Sequence, residues 1–265
     1  MRAARKLQLA VLALCITASI PAFAKMQQRP VEWQLQGTTY SGVLVYDDAG
    51  DARRPGVVMV PNWRGVNASA VAKAEQIAGD DYVVLVADVY GKTVRPQDND
   101  AAAAASKPLR EDRNLLRARA AAALEALKAQ AGKAPLDATH IAAVGFCFGG
   151  TTVLEMARAG MPLAGVVSLH GGLSTPAPAA AGSGKVPMLV LNGAADAGIT
   201  AEDIANFGTE MDAAKADWQF VNFSGAVHCF AESDANSPPG CLYDPRAAKR
   251  AWKMMDNFLE ERLGD

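Results

Sequence analysis

The sequence predicts an α/β fold, with a mostly parallel central sheet and helices on both faces. Three observations carry this expectation. Short continuous apolar runs, such as GVVMVP at 56–61 and YVVLVA at 82–87, have the character of strands buried on both sides. Stretches with helical spacing fall between such runs, and the two kinds alternate along the chain. Half of the 265 residues are apolar and a fifth are charged, without an internal repeat or a long linker.

The elements follow in order. Val31–Gln36 and Thr39–Val45 alternate apolar and polar residues on either side of Gly37 and predict a hairpin. Gly56–Pro61 is the first buried strand, Val66–Gly79 a helix and Tyr82–Ala87 the next strand. Asp88–Pro108 shows no period and is expected as a loop. Arg110–Gln130 predicts one long Ala-rich helix, whose apolar face is Leu115, Leu116, Leu124 and Leu127. His140–Gly145 is a strand, Phe148–Ala159 a helix, and Leu163–Leu169 and Val186–Asn192 are strands. Gly171–Lys185, between those two, is a second loop. Ala201–Ala214 is helical, Trp218–Phe223 is the last strand, and Pro245–Leu263 closes the chain as an amphipathic helix with Pro in its first turn.

The first residues are of another kind. Arg2, Arg5 and Lys6 precede an uncharged run, Leu7–Ile20, and then Pro21-Ala22-Phe23-Ala24. A basic start, a short apolar core and an A-x-A ending predict a signal peptide over residues 1–24, and the apolar run is too short for a membrane anchor. The expected product is exported, periplasmic or secreted, with residues 25–265 forming one domain. Loss of three positive charges and no negative ones moves the formal charge from −2 to −5. An acidic chain has no electrostatic reason to hold nucleic acid or an anionic membrane.

Three cysteines remain after that cleavage: Cys147, Cys229 and Cys241. Cys229 and Cys241 lie in a Ser/Asn/Pro/Gly-rich stretch and are the expected disulfide, which leaves Cys147 free. The alternative is a Cys147–Cys229 bond that would silence the thiol. Without C-x-x-C or any other ligand spacing, neither a metal site nor a cofactor is expected.

In a sheet of this kind, functional side chains follow the carboxyl ends of strands. Gly145-Phe146-Cys147-Phe148-Gly149-Gly150 fits a sharp strand-to-helix turn that pushes Cys147 outward, where glycines permit close backbone approach and the helix N-terminus favours a thiolate. A thiolate needs a base, and the base needs an orienting group. Asp196 follows the Val186–Asn192 strand and His228 follows the last strand. His170, also at a strand end, suits a pocket wall, and His140 begins its strand at the opposite edge.

The order Cys147, Asp196, His228 with the G-x-C-x-G-G turn resembles the dienelactone hydrolase family of α/β-hydrolases, from about Pro55 to the C-terminus. PNWRGVN at 61–67, YVVLVADVYG at 82–91 and the closing helix share the likeness. The resemblance implies an α/β-hydrolase domain that cleaves small esters or lactones, in the manner of a carboxymethylenebutenolidase, through a thioester. It also implies an oxyanion hole made by the backbone N–H groups of Trp63 and Phe148.

Three departures bear on substrate binding. Asn62 stands where well-known members carry a glutamate that holds the resting thiol, so Cys147 is expected closer to a standing thiolate–imidazolium pair. Lys92 and Glu232 stand where those members clamp a carboxylate with two arginines; Arg64 offers a replacement cation. An exported chain is, finally, an unusual place for dienelactone catabolism. The alternative to an enzyme is a non-catalytic or redox-regulated binding member of the same fold. The oligomeric state is open.

Overall fold

The computed structural model describes residues 25–50 and 52–264, so the expected signal peptide lies outside the described residues. Among the described residues ten strands and six helices are formed: β1 (Met26–Leu35), β2 (Thr38–Asp47), β3 (Arg54–Val60), α1 (Ala68–Ala78), β4 (Val83–Val86), α2 (Asn99–Glu111), α3 (Arg113–Lys128), β5 (Leu136–Phe146), α4 (Phe148–Arg158), β6 (Val166–Leu169), β7 (Met188–Gly193), α5 (Ala201–Ala214), β8 (Trp218–Phe223), β9 (Asn236–Ser237), β10 (Cys241–Leu242) and α6 (Pro245–Leu263).

Eight strands make one sheet in the order β1-β2-β4-β3-β5-β6-β7-β8. β1 and β2 are antiparallel, β2 runs antiparallel to β4, and all later pairings are parallel. Each inner strand buries both faces. Val58 and Val60 of β3 and Val83 and Leu85 of β4 belong to one buried cluster with side chains of α3, α4 and α5. Val57 and Met59, with Val84 and Val86, pack under α1 and α6. This two-sided burial is what the unbroken apolar runs express.

The chain crosses from β4 back past β3 to start β5, so the strand order reverses between β3 and β5. In open parallel sheets the crevice at such a reversal collects ligands. The loop after β3 carries Asn62 and Trp63; the turn after β5 carries Cys147.

Two expectations are corrected. The stretch 88–108 is not all loop, because α2 occupies Asn99–Glu111. The Asp98 side chain caps it by accepting the Ala101 N–H at 2.8 Å. The single helix expected at 110–130 is the end of α2 plus a separate α3. Asp112 divides them, in extended conformation, ending one helix and capping the other by accepting the Leu115 N–H. The elements with strong end signals match expectation throughout: α5 behind its Thr200/Asp203 capping box, and α6 with Pro245 in its first turn.

The first turn of α4 lies directly on the ends of β3 and β5. A Cβ on Gly149 would overlap the carbonyls of Val60 and Pro61, and one on Gly145 would overlap the Gly149 backbone. Gly149→Ala is therefore expected to destabilise the chain by about 2 kcal/mol or more, in urea unfolding. Gly240→Ala, where a Cβ meets open space, should stay within about 0.5 kcal/mol.

Candidate active site

Cys147 occupies a backbone conformation with φ 54° and ψ −115°, costly for a residue with a Cβ. The turn persists because its surroundings over-determine it. The Cys147 N–H donates to the Leu169 carbonyl at 2.9 Å and to His170 Nδ1 at 3.1 Å. The glycines at 145, 149 and 150 let α4 begin against the sheet. The side chain is thereby held out of the backbone at the N-terminus of α4, where no side-chain cap competes with it.

The other two side chains arrive from loops zipped to each other. Ala194 N–H donates to the Phe223 carbonyl and Ala195 N–H to that of Ala226, both within 2.9 Å. Gly193 permits this contact, since a Cβ there would meet the Ala226 and Val227 carbonyls. Asp196 and His228 follow directly. Asp196 Oδ1 accepts the Gly198 N–H at 2.9 Å, and Oδ2 lies 2.7 Å from His228 Nδ1. His228 Nε2 lies 3.0 Å from Cys147 Sγ. The three side chains form one hydrogen-bonded line.

The surroundings favour a charged imidazole facing an ionised Asp196. Burial works against a charged His228, yet the hydrogen bonds to Asp196 and Cys147 outweigh it and push its pKa up to about 10. Burial also opposes ionisation of Asp196, and again the bonds from His228 and the Gly198 amide win, lowering its pKa.

A cleft of about 550 Å³ opens over Cys147 and His228. Asn62, Trp63 and Arg64 line one side, and Cys229, Glu232 and Cys241 another. A larger groove of about 900 Å³ runs beside α6 but reaches none of the three aligned side chains. Neither the Trp63 nor the Phe148 N–H is taken up by an acceptor among the described residues. Tyr90 braces both: its hydroxyl donates to the Trp63 carbonyl at 3.0 Å, and its ring stacks on Phe148 at 5.8 Å between centroids. Burial, first of all, raises the Tyr90 pKa, which keeps that donor protonated.

Other expected residues fall differently. Lys92 is not at the cleft. Its N–H is tied to the Thr39 carbonyl at 2.8 Å, which turns the chain toward the β1–β2 hairpin, and its ammonium pairs with Glu32 at 2.7 Å. His170 is not a pocket wall but lies wholly buried beneath Cys147. Burial, then His228 and Lys73, hold its pKa well below the ordinary histidine value, so it is neutral. Glu232, in the position of the second family arginine, is 3% exposed and bound to Asn62 and Lys73. His140 does not begin its strand: β5 starts at Leu136, and His140 lies inside it, exposed beside Asp137 and away from the cleft. Arg64 does line the cleft, bonded to Asn99 at 2.7 Å.

Sequence reasoning missed Asn99 and Arg110, which line the cleft from α2, and Tyr90. The Asp98 cap before an alanine run was the available signal for α2. Cys229 and Cys241 form a disulfide, so the alternative bond to Cys147 is not made and Cys147 is the free thiol among the described residues. Cys241 also pairs with His228 in an isolated parallel β-bridge, and Leu242 N–H donates to the His228 carbonyl at 3.1 Å. Among the described residues no group of three or more His, Cys, Asp or Glu side chains is placed to hold a metal ion. No described helix is long and apolar enough to cross a membrane.

Comparison with known proteins identifies the family. The model of the dienelactone hydrolase family matches residues 41–263. The chain belongs to the dienelactone hydrolase family. It is 35% identical to a dienelactone hydrolase-like promiscuous phosphotriesterase, P91, from metagenomic libraries; the match covers 90% of this chain and 99% of that one with a TM-score of 0.83. The dienelactone hydrolase from Anabaena variabilis shares the fold at 19% identity, over 90% and 99% of the two chains, with a TM-score of 0.65. An uncharacterized protein of Caenorhabditis elegans is 35% identical over 162 residues, 57% of this chain and 96% of that protein. Membership makes the chain an α/β-hydrolase-type hydrolase of small molecules.

The raised His228 pKa has a consequence for stability. A histidine whose folded pKa exceeds its unfolded value contributes stability that is fully present below about pH 6.5 and lost as pH rises through about 10. Between those values the wild type should lose more stability than His228→Gln, as read by urea unfolding at each pH.

Proposed function

We propose that this chain hydrolyses small carboxylic esters or lactones through Cys147, His228 and Asp196, with a thioester intermediate. The observation that carries the reading is the unbroken contact line Asp196–His228–Cys147 at the cleft mouth, at 2.7 and 3.0 Å.

The steps balance as follows. The Cys147 sulfur attacks the carbonyl carbon, a C–S bond forms, and the carbonyl π pair moves onto oxygen. That oxyanion sits between the Trp63 and Phe148 N–H groups, each contributing about 10²–10³-fold in rate. Collapse breaks the bond to the leaving alkoxide, which takes the proton from His228 Nε2. The same nitrogen then deprotonates a water, which attacks the thioester, expels the thiolate and leaves the carboxylic acid. Asp196 keeps the Nδ1–H facing itself throughout. Arg64 and Arg110 give the cleft cationic groups that would favour a negatively polarised acyl portion placed beside them, away from the Asp234 carboxylate.

A second substrate class rests on the relative at 35% identity, described as a promiscuous phosphotriesterase. The same nucleophile would attack a neutral phosphotriester, displacing an aryloxide. Export is part of the proposal too. The basic-apolar-small layout of residues 1–24 and the Cys229–Cys241 disulfide both suit an oxidising compartment.

Steady turnover of p-nitrophenyl acetate is expected from wild type and none from Cys147→Ala; equal rates in the two would sink the reading. Asp196→Asn should lower kcat by about 10²-fold or more. Iodoacetamide should alkylate Cys147 readily at about pH 6–7, whereas a rate rising only above about pH 8 would show an ordinary thiol. N-terminal sequencing of protein recovered from the exported fraction should begin at Lys25; an intact Met1 there would overturn the cleavage site.

A further inference from the structure

Beneath the cleft lies a buried polar chain that the reaction steps above do not use. Because His170 Nδ1 accepts the Cys147 N–H, the proton of its neutral ring is on Nε2. That Nε2 has no hydrogen-bond partner among the described residues, and neither has Glu232 Oε1. The two atoms, a donor and an acceptor, lie 3.9 Å apart. The other oxygen, Glu232 Oε2, accepts from Asn62 Nδ2 at 2.5 Å and pairs with Lys73 at 3.1 Å. Asn62 Oδ1 in turn accepts the Arg64 N–H at 3.0 Å, and the Asn62 carbonyl accepts the Gly65 N–H at 2.9 Å. This turn carries the Trp63 N–H.

We propose that Glu232 is a positioning residue: through Asn62 on one side and His170 on the other, it sets the Trp63 N–H against the Cys147–Phe148 turn. This rests on the reading of Cys147 as nucleophile and of those two N–H groups as the oxyanion site. A carboxylate buried next to a cleft is costly, and apolar side chains of similar volume would commonly be no less stable. Its position explains its presence. Glu232 is four residues beyond His228 and touches groups from the β3 loop and from the strand end beneath the nucleophile, so one side chain ties three segments of the site together. The gap of 3.9 Å is too long for a direct bond. A small rotation of the carboxylate, or one water, completes the link.

The experiment is steady-state hydrolysis of p-nitrophenyl acetate by wild type, Glu232→Gln, Asn62→Ala and Cys147→Ala. It is paired with the iodoacetamide alkylation rate of Cys147 and the thermal midpoint of each. Glutamine at 232 keeps the shape but places an NH2 against either His170 Nε2–H or the Asn62 amide, a donor facing a donor whichever way it turns. Asn62→Ala cuts the chain at a half-buried link, away from the core, and serves should Glu232→Gln fold poorly. In both, kcat is expected to fall by about 10–100-fold with KM within about twofold. Alkylation, which forms no oxyanion, should keep its wild-type rate. Wild-type kcat in both variants would overturn the proposal. So would a parallel fall of kcat, alkylation rate and thermal midpoint, which would mark a purely structural role. If wild type itself shows no turnover dependent on Cys147, the reading of the function fails first and this one with it.

Discussion

The close approach of α4 to the ends of β3 and β5 is the constraint on which the site depends. Helix and sheet meet backbone to backbone there, because Gly145, Gly149 and Gly150 leave no side chain between them. The chain must then turn within one residue, and Cys147 absorbs that turn in a conformation that only a well-determined environment sustains. The strain is balanced by bonds to the Leu169 carbonyl and to His170. Moving α4 outward by the width of a methyl group would displace the thiol, the Phe148 N–H beside it and the facing Trp63 turn together.

Charge is arranged with similar economy. Asp196 and His228 reach each other because their loops are zipped by backbone bonds before either side chain is placed. The imidazole then has an acceptor at each nitrogen, so its proton is favoured despite burial. On the opposite side, Glu232 is buried against Lys73 and Asn62 rather than facing incoming substrate as a free anion. The cleft lining sets the cations Arg64 and Arg110 beside the carboxylate of Asp234.

Much of this was legible in the sequence, for local reasons. The apolar runs could only be strands covered on both faces, and the turn around Cys147 needs its glycines within five positions. Asp196 and His228 were identifiable from following strands in the right order. Helices with explicit end signals, α5 and α6, had clear limits. α2 was hidden because Pro108 and a polar end broke its pattern, although its alanine run and Asp98 cap were present. β9 and β10, two residues each, have no period to detect. The cleft walls were least legible. Lys92 turns away through a backbone bond to Thr39, and Glu232 turns inward to Lys73, which is 159 positions earlier in the numbering. Such pairings are decided by the packing of distant segments.

The Cys229–Cys241 bond closes a separation of 12 residues, and within it lies one wall of the cleft, including Glu232 and Ser237. In the chain-entropy view a loop of that size removes about 3 kcal/mol of freedom from the unfolded ensemble. The same crosslink limits how far that wall can spread in the folded chain, so binding has less freedom to remove there. A wall closed covalently in this way is expected to discriminate by rigidity, favouring molecules that match the cleft's width over those that would need it to widen.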